Sequence, residues 1–141
     1  MLANTNFIQT FNILHRGLDC SALRQQTIAN NIANVNTPFY KRKEVTFEGE
    51  LHRALYGPQP IPAQRTHEKH LKFKGQLSLD EVQPMINIES ETFVRNDENN
   101  VDINQEMAEL AKNSLMNDAI VTSMTMMITQ LKSAIQKGGR A

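Results

Sequence analysis

Two packing seams with a seven-residue repeat, one at each end of the chain, constrain this sequence more than any other feature. In the first, apolar residues fall at Phe7, Phe11, Leu14 and Leu18, then at Ile28, Ile32 and Val35. The steps alternate four and three, with Ser21 and Gln25 in the two intervening positions. The second seam runs Ile103, Met107, Leu110, Ser114, Asn117, Val121, Met124, Ile128, Leu131 and Ile135 without a break. Such spacing keeps a narrow stripe on one side of a helix, the pattern of a paired seam and not of a broad globular face.

Each seam carries start and stop signals. Asn6 with Gln9 three residues on is a candidate capping box for the first helix. Asn34-Val35-Asn36-Thr37-Pro38 ends it, because proline disfavours helix at the residue before it. Gly17 interrupts the helix and costs about 1 kcal/mol relative to alanine, which close helix packing would justify. The second helix opens on Asp102 as N-cap, with Gln105 at N3 and Glu106 and Glu109 near its positive end. Gly138-Gly139 follows Lys132 and Lys137 at its close. At ~1.5 Å per residue the helices span roughly 45 and 50 Å. Mean hydropathy of −0.45, 6% aromatic residues and no tryptophan agree with a shape more extended than one compact core.

The expected fold is therefore mainly α. Two long terminal helices, within residues 1–37 and 102–141, form an antiparallel coiled-coil-like pair. An irregular, short-β middle arm over 38–101 joins them, and the three parts make one assembly unit. Matching the polar interruptions sets Gln25 opposite Asn117, which brings Phe7 to Ile135, Leu18 to Met124 and Ile32 to Leu110. In the arm, Gly57-Pro58-Gln59-Pro60-Ile61-Pro62 excludes helix interior. Lys72-Phe73-Lys74 and Met85-Ile86-Asn87-Ile88-Glu89 read as short strands, and Asn96 to Asn100 as a turn cluster. Glu44 to Tyr56 suits either a helix or an extended arm, and no independent core is expected in the middle.

Net charge is zero, which removes a bulk electrostatic case for nucleic acid or an anionic membrane surface. Residues 41–80 carry eight Lys/Arg against five Asp/Glu, whereas 81–110 carry one, Arg95, against eight. These blocks suit solvated surface with nearby counter-charges, or head-to-tail contact between copies. Lys41-Arg42-Lys43 beside Phe39 and Tyr40 reads as a surface contact ahead of a nucleic-acid site. Met124, Met126 and Met127 read as seam and core ahead of a binding groove.

No constellation for catalysis is present. His67 and His70 lack further ligands for a metal, the acidic residues of 89–109 lack a calcium-loop pattern, and no phosphate loop or nucleophile elbow occurs. The single cysteine, Cys20, sits within the helical pattern and forms no intrachain disulfide. The expectation is a non-enzyme with no catalytic, cofactor-binding or metal residues and no cofactor. No apolar run approaches the ~20 residues that span a bilayer. Met1 to Asn6 lacks the start of a cleaved signal peptide, so a role outside the cytoplasm implies another export route.

The seams bracket two motifs. Ala29-Asn30-Asn31-Ile32-Ala33-Asn34-Val35-Asn36-Thr37-Pro38-Phe39-Tyr40-Lys41 resembles the N-terminal signature of the flagellar rod and hook axial protein family, roughly N-x-A-N-x-x-T-P-G-Y-K. Asn31, Ala33, Asn34, Thr37, Pro38, Tyr40 and Lys41 match, and Phe39 stands where that family has glycine. Asp97-Glu98-Asn99-Asn100-Val101-Asp102, followed by Glu106-Met107-Ala108, resembles the D-G-N-N-V-D-x-x-x-E-M-A segment of its short proximal rod members, with Glu98 in place of glycine. Val45 to Leu51 and Arg65 to Leu71 also resemble segments of those members.

The resemblance implies a structural subunit of the basal-body rod in the periplasm, exported by the flagellar type III system. It implies assembly with other rod proteins, a rod-base adaptor, the export gate and membrane ring, and further copies of itself. Asn31, Ile32, Ala33, Asn34, Thr37, Pro38, Tyr40, Asn99, Asn100, Val101, Asp102, Glu106 and Met107 are then the assembly residues. A cytoplasmic helical-hairpin adaptor would explain the seams without the motifs, and another proximal rod paralogue fits the second motif less well. Ile32→Asp places a charge in the seam; it is expected to block incorporation into basal bodies and abolish swimming in soft agar.

Overall fold

The chain order is α1 (Leu2–Ala33), β1 (Lys43–Thr46), α2 (Glu48–Tyr56), β2 (Met85–Ile88) and α3 (Ile103–Gly138). The structure, a computed structural model, describes residues 2–57, 82–90 and 96–138. The expected strand at Lys72 to Lys74, the proline-rich stretch beyond Gly57 and the pair His67 and His70 lie outside these residues. Two long helices dominate, as the seams require, and they pack on each other.

Helix α1 begins ahead of Asn6, so that residue is not its N-cap. No glycine or proline lies between Met1 and Asn6 to stop the helix from extending outward. Its end falls where expected. The Asn34 N–H still donates to the carbonyls of Asn30 and Asn31, and Thr37 N–H to Asn34 O, before Pro38 prevents continuation. Asp102 caps α3 as expected: its Oδ1 accepts from Asn104 N–H at 2.8 Å, and its carbonyl from Glu106 N–H at 3.0 Å. The last residue of that helix is Gly138.

The helices run antiparallel, but in another register than the one matched on Gln25 and Asn117. Asn31 meets Glu106, Ser21 meets Asn113, and Gly17 lies against Ile120. The expected pairing would set Asn31 opposite Ala111, Gly17 opposite Thr125 and Ser21 opposite Val121, so α3 is displaced by roughly one and a half to two helical turns. The physical reason is that different polar residues set the register. Asn113 is buried and its Nδ2 donates to the Ser21 carbonyl at 3.0 Å, whereas Gln25 is exposed.

The buried side of α3 is also turned from the predicted stripe. Glu106 and Asn113 are its buried residues, and Met107, Val121, Ile128, Leu131 and Ile135 are exposed. Apolar side chains cover more than one side of α3, so spacing alone does not choose which side meets α1.

The middle was expected to hold no core of its own, and it holds one shared with α1. Val45 of β1, Phe47, Ala54 of α2 and Val82 bury themselves around Cys20 of α1, with Leu23 and Leu51 packed alongside. Glu44 to Tyr56 resolves into a strand followed by a helix. The predicted strand at Met85 forms β2, which pairs antiparallel with β1 in the register Lys43 to Ile88 and Thr46 to Met85. At the end of α2 the Gly57 N–H donates to Arg53 O at 2.9 Å. A Cβ at that position would stand 2.3 Å from the same oxygen, so only glycine closes the helix there. Burial pushes the Cys20 thiol above its ordinary pKa. Among the described residues, no helix is long and apolar enough to cross a membrane.

Gly17 tests the helix contact. A Cβ there would lie 3.2 Å from Ile120 Cδ1, the end of a flexible side chain. Gly17→Ala should stabilise by up to ~1 kcal/mol through helix propensity. Gly17→Phe should destabilise by about 1–3 kcal/mol by forcing the helices apart. Urea unfolding followed by circular dichroism measures both.

Candidate assembly site: a polar clasp across the helix pair

Asn31, in the last turn of α1, has the shape of a missing strand. Its Nδ2 donates to Lys43 O at 2.8 Å, and its Oδ1 accepts from Lys43 N–H at 3.0 Å. A side-chain amide presents the same donor and acceptor as a backbone peptide, so it docks β1 onto the helix. The same Nδ2 donates to Glu106 Oε2 of α3 at 3.0 Å, and Tyr40 Oη lies 3.4 Å from Asn31 Oδ1. Asn31 is fully buried, so each of these bonds replaces one to water that folding removed.

Glu106 is the centre of the clasp. Its side chain is 0% exposed, and Arg42, at 9%, sends Nε to Glu106 Oε1 at 2.6 Å. Both carboxylate oxygens therefore have donors. Arg42 Nη1 reaches Glu89 at 3.2 Å and Glu44 at 3.6 Å. Burial works to lower the pKa of this guanidinium, but the hydrogen bonds to Glu106 and Glu89 outweigh it and raise the value. Burial and then the Glu106 charge raise the pKa of the Tyr40 phenol. The Arg42 backbone is held too: its N–H donates to Asn100 Oδ1 at 2.6 Å, and its carbonyl accepts from Glu89 N–H at 2.9 Å. Asn100 Nδ2 then donates to Glu89 O at 2.7 Å.

Asn99 seals the end of α1. Its Nδ2 lies within hydrogen-bond distance of three carbonyls, those of Asn34, Val35 and Thr37, at 3.1, 3.1 and 2.8 Å. Those carbonyls lie in the turn beyond the helix, where Asn34 O also accepts from Thr37 N–H and Thr37 O from Tyr40 N–H, so the Asn99 amide ties the turn together. Asn99 Oδ1 accepts from Val101 N–H at 2.8 Å, which sets up the entry to α3. Two turns meet beside it, where Phe39 N–H donates to Asp97 O at 3.0 Å and Lys41 Nζ to Glu98 O at 2.8 Å. Phe39 at φ 62° and Glu98 at φ 61° both occupy the left-handed region. These are the two positions at which the motifs lead one to expect glycine.

A second ion pair braces the outer side of the arm. Arg24 Nη2 contacts Glu48 Oε1 at 2.8 Å. Burial tends to raise the Glu48 pKa, and the Arg24 hydrogen bond more than reverses that, so the carboxyl lies below its ordinary range.

The clasp brings together most of the residues singled out from sequence. Asn31, Tyr40, Asn99, Asn100, Val101, Asp102 and Glu106 belong to it, and Asn34 and Thr37 supply carbonyls that it binds. Ile32 is half-buried beside it, while Ala33 and Pro38 are exposed at the helix end. Met107 is 53% exposed and stands outside it. Arg42 and Glu89 were missed. The available signal was Arg42 itself, set between two lysines and read as surface charge; here it turns inward and joins the basic block to the acidic one within a single chain. Among the described residues, no group of three His, Cys, Asp or Glu is placed to hold a metal ion.

A junction built from amides and one buried ion pair ties two long helices to a short sheet, an arrangement that suits a structural subunit. Comparison with known families agrees: the family model described as flagella basal body rod protein matches residues 11–41. A flagellar basal body rod protein FlgB of Borrelia hermsii is 39% identical over 78% of this chain and 83% of its own length. The FlgB of Bacillus subtilis strain 168 is 32% identical over 94% and 97%, and that of Aquifex aeolicus strain VF5 is 30% identical over 74% of each. The chain belongs to the FlgB family of flagellar basal body rod proteins, and is a structural rod subunit.

Arg42→Met leaves Glu106 buried without its cation and should destabilise by about 3–5 kcal/mol. Arg42→Met with Glu106→Leu removes both charges and should recover much of that loss. Denaturant unfolding of the two variants reads the difference. Phe39→Gly and Glu98→Gly relieve left-handed backbone and should each stabilise by roughly 1 kcal/mol in the same assay.

Proposed function

We propose that the chain is a proximal rod subunit, polymerising with other rod proteins into the drive shaft of the flagellum. In this reading it reaches the periplasm through the flagellar type III system. There it contacts the rod-base adaptor, the export gate and membrane ring, and other copies of itself. The observation that carries the reading is the uncovered apolar surface of α3. Val121, Met126, Ile128, Leu131 and Ile135 are each at least 40% exposed in the subunit. A helix that exposes such residues along its length is completed by neighbours.

The clasp and the uncovered helix faces divide the work. The clasp fixes how α1 leaves for the arm and how α3 returns, so it sets the helix pair's geometry before any neighbour arrives. The exposed heptad positions of α3 then complete a coiled-coil-like seam against adjacent subunits. Their burial offsets the entropy of ordering long helices. Deleting the chain should leave the membrane ring in place while abolishing rod and filament, as seen by electron microscopy of isolated basal bodies. Rods of normal length in that strain would overturn the reading.

A further inference from the structure

The clasp closes one edge of the small sheet and leaves the other bare. In an antiparallel pair, residues alternate between those bonded to the opposite strand and those that aim both backbone groups away from it. The Glu89 N–H donates to Arg42 O, so Arg42 and Glu89 are a bonded pair, and the register makes Glu44 and Asn87 the next. Lys43 and Val45 therefore turn their backbone groups away from β2. Their partners agree: Asn31 takes both groups of Lys43, and Arg24 Nη2 lies 3.3 Å from Val45 O. Ile88 and Ile86 stand opposite these two residues, so each aims its N–H and C=O away from β1. Among the described residues, β2 pairs with β1 alone.

An edge of this kind is a template for another strand, and proteins guard it with lysine, proline, a bulge or an inward charge. Met85-Ile86-Asn87-Ile88 has none of these, and Ile86 and Ile88 are 48% and 63% exposed. Its four-residue length limits the match to one short segment. The sheet cannot propagate by itself. Asn31 occupies the outer edge of β1, and β2 against β2 of another copy closes a two-fold pair that does not repeat along a rod. Side chains narrow the partner further. Ile86 and Ile88 share one face, so an incoming strand sets apolar residues beside them. Asn87 is on the other face, its Nδ2 donating to Thr46 Oγ1 at 3.1 Å. There Glu44 stands opposite it with 60% of its side chain exposed, which favours a lysine or arginine on the added strand.

We propose that the free edge of β2 receives one extended segment of a neighbouring rod subunit, a strand that reads apolar, basic, apolar against Ile86, Asn87 and Ile88. Backbone bonds to Ile86 and Ile88 hold the segment, and the side chains select it. This inference rests on the rod reading above, through the neighbours it supplies.

Proline tests the direction of each N–H, because it removes that donor yet fits an outward-facing edge position. Ile86→Pro should keep the urea midpoint of the free chain close to that of Ile86→Val. It should incorporate into basal bodies about fivefold to tenfold less well than Ile86→Val, the size of one hydrogen bond. Asn87→Pro removes a donor that β1 uses and should lower the midpoint. Equal incorporation of Ile86→Pro and Ile86→Val, or a midpoint lowered as far as by Asn87→Pro, overturns the free edge. In a second arm, p-benzoylphenylalanine replaces Ile88 and isolated basal bodies are irradiated. The expected product joins position 88 to one segment of another subunit, and the captured peptide carries a lysine or arginine between apolar residues. An adduct within one chain, an adduct between position 88 of two copies, a peptide without that pattern, or no adduct overturns the proposal. Rods built in that strain keep the rod assignment intact in each case.

Discussion

The geometry of this subunit depends on one buried charge. Glu106 has no solvent of its own, and taking a carboxylate out of water costs several kcal/mol unless its partners are near ideal. Here they are: a guanidinium at one oxygen and an amide at the other, from elements that are distant in sequence. The pair need not add net stability to matter. Its cost falls on any arrangement that separates α3 from β1 and α1, because each alternative leaves a buried charge without its partner. That penalises sliding of α3 along α1 far more than an apolar contact would, since leucine against leucine is tolerant of a shift by one turn. A long antiparallel pair with an apolar seam has many near-equivalent registers, and the ion pair selects one.

The amides extend this selection to the chain direction. Asn31 substitutes for a strand, Asn99 ties down the turn that follows α1, and Asn100 positions the Arg42 peptide. Each uses a planar group with both donor and acceptor, which aspartate or leucine of equal size would lack. The arm therefore leaves α1 and re-enters α3 through one set of angles. Away from the clasp, α1 and α3 depend on broader apolar contacts, and much of the apolar surface of α3 stays open. Rigidity at the junction and incompleteness along the helices are complementary properties for a subunit whose neighbours finish its packing.

Much of this architecture is legible in the sequence, and the illegible parts have a common cause. The two helices, the end of α1, the Asp102 cap and the strand at Met85 follow from local spacing and turn chemistry, which act over a few residues. The polar residues of the two motifs mark the clasp, because asparagine in such density beside a helix end has little local use beyond capping. Register and partner choice are non-local. Gln25 and Asn117 interrupt the heptads, yet the pairing is made by Ser21, Asn113, Asn31 and Glu106. Nothing in spacing reveals that Asn113 is buried or that Gln25 faces water. Arg42 was hidden likewise: one of three consecutive cations, it is distinguished only by the direction its side chain takes once β1 docks on Asn31.

The two left-handed turn residues show how firmly that docking is held. An L-residue in this region costs roughly 1–2 kcal/mol, and Phe39 and Glu98 both pay it although glycine would not. Strain of this kind persists when surrounding bonds determine the backbone more strongly than the residue's own preference. Those bonds are visible: Phe39 N–H on Asp97 O, Lys41 on Glu98 O, and Asn99 across the carbonyls next to both turns. The turns are therefore positioned by the clasp and not by their own sequence. A chain that relied on glycine would form the same bends from local freedom. This one forms them against local preference, and the energy for doing so comes from the buried polar network on which the fold depends.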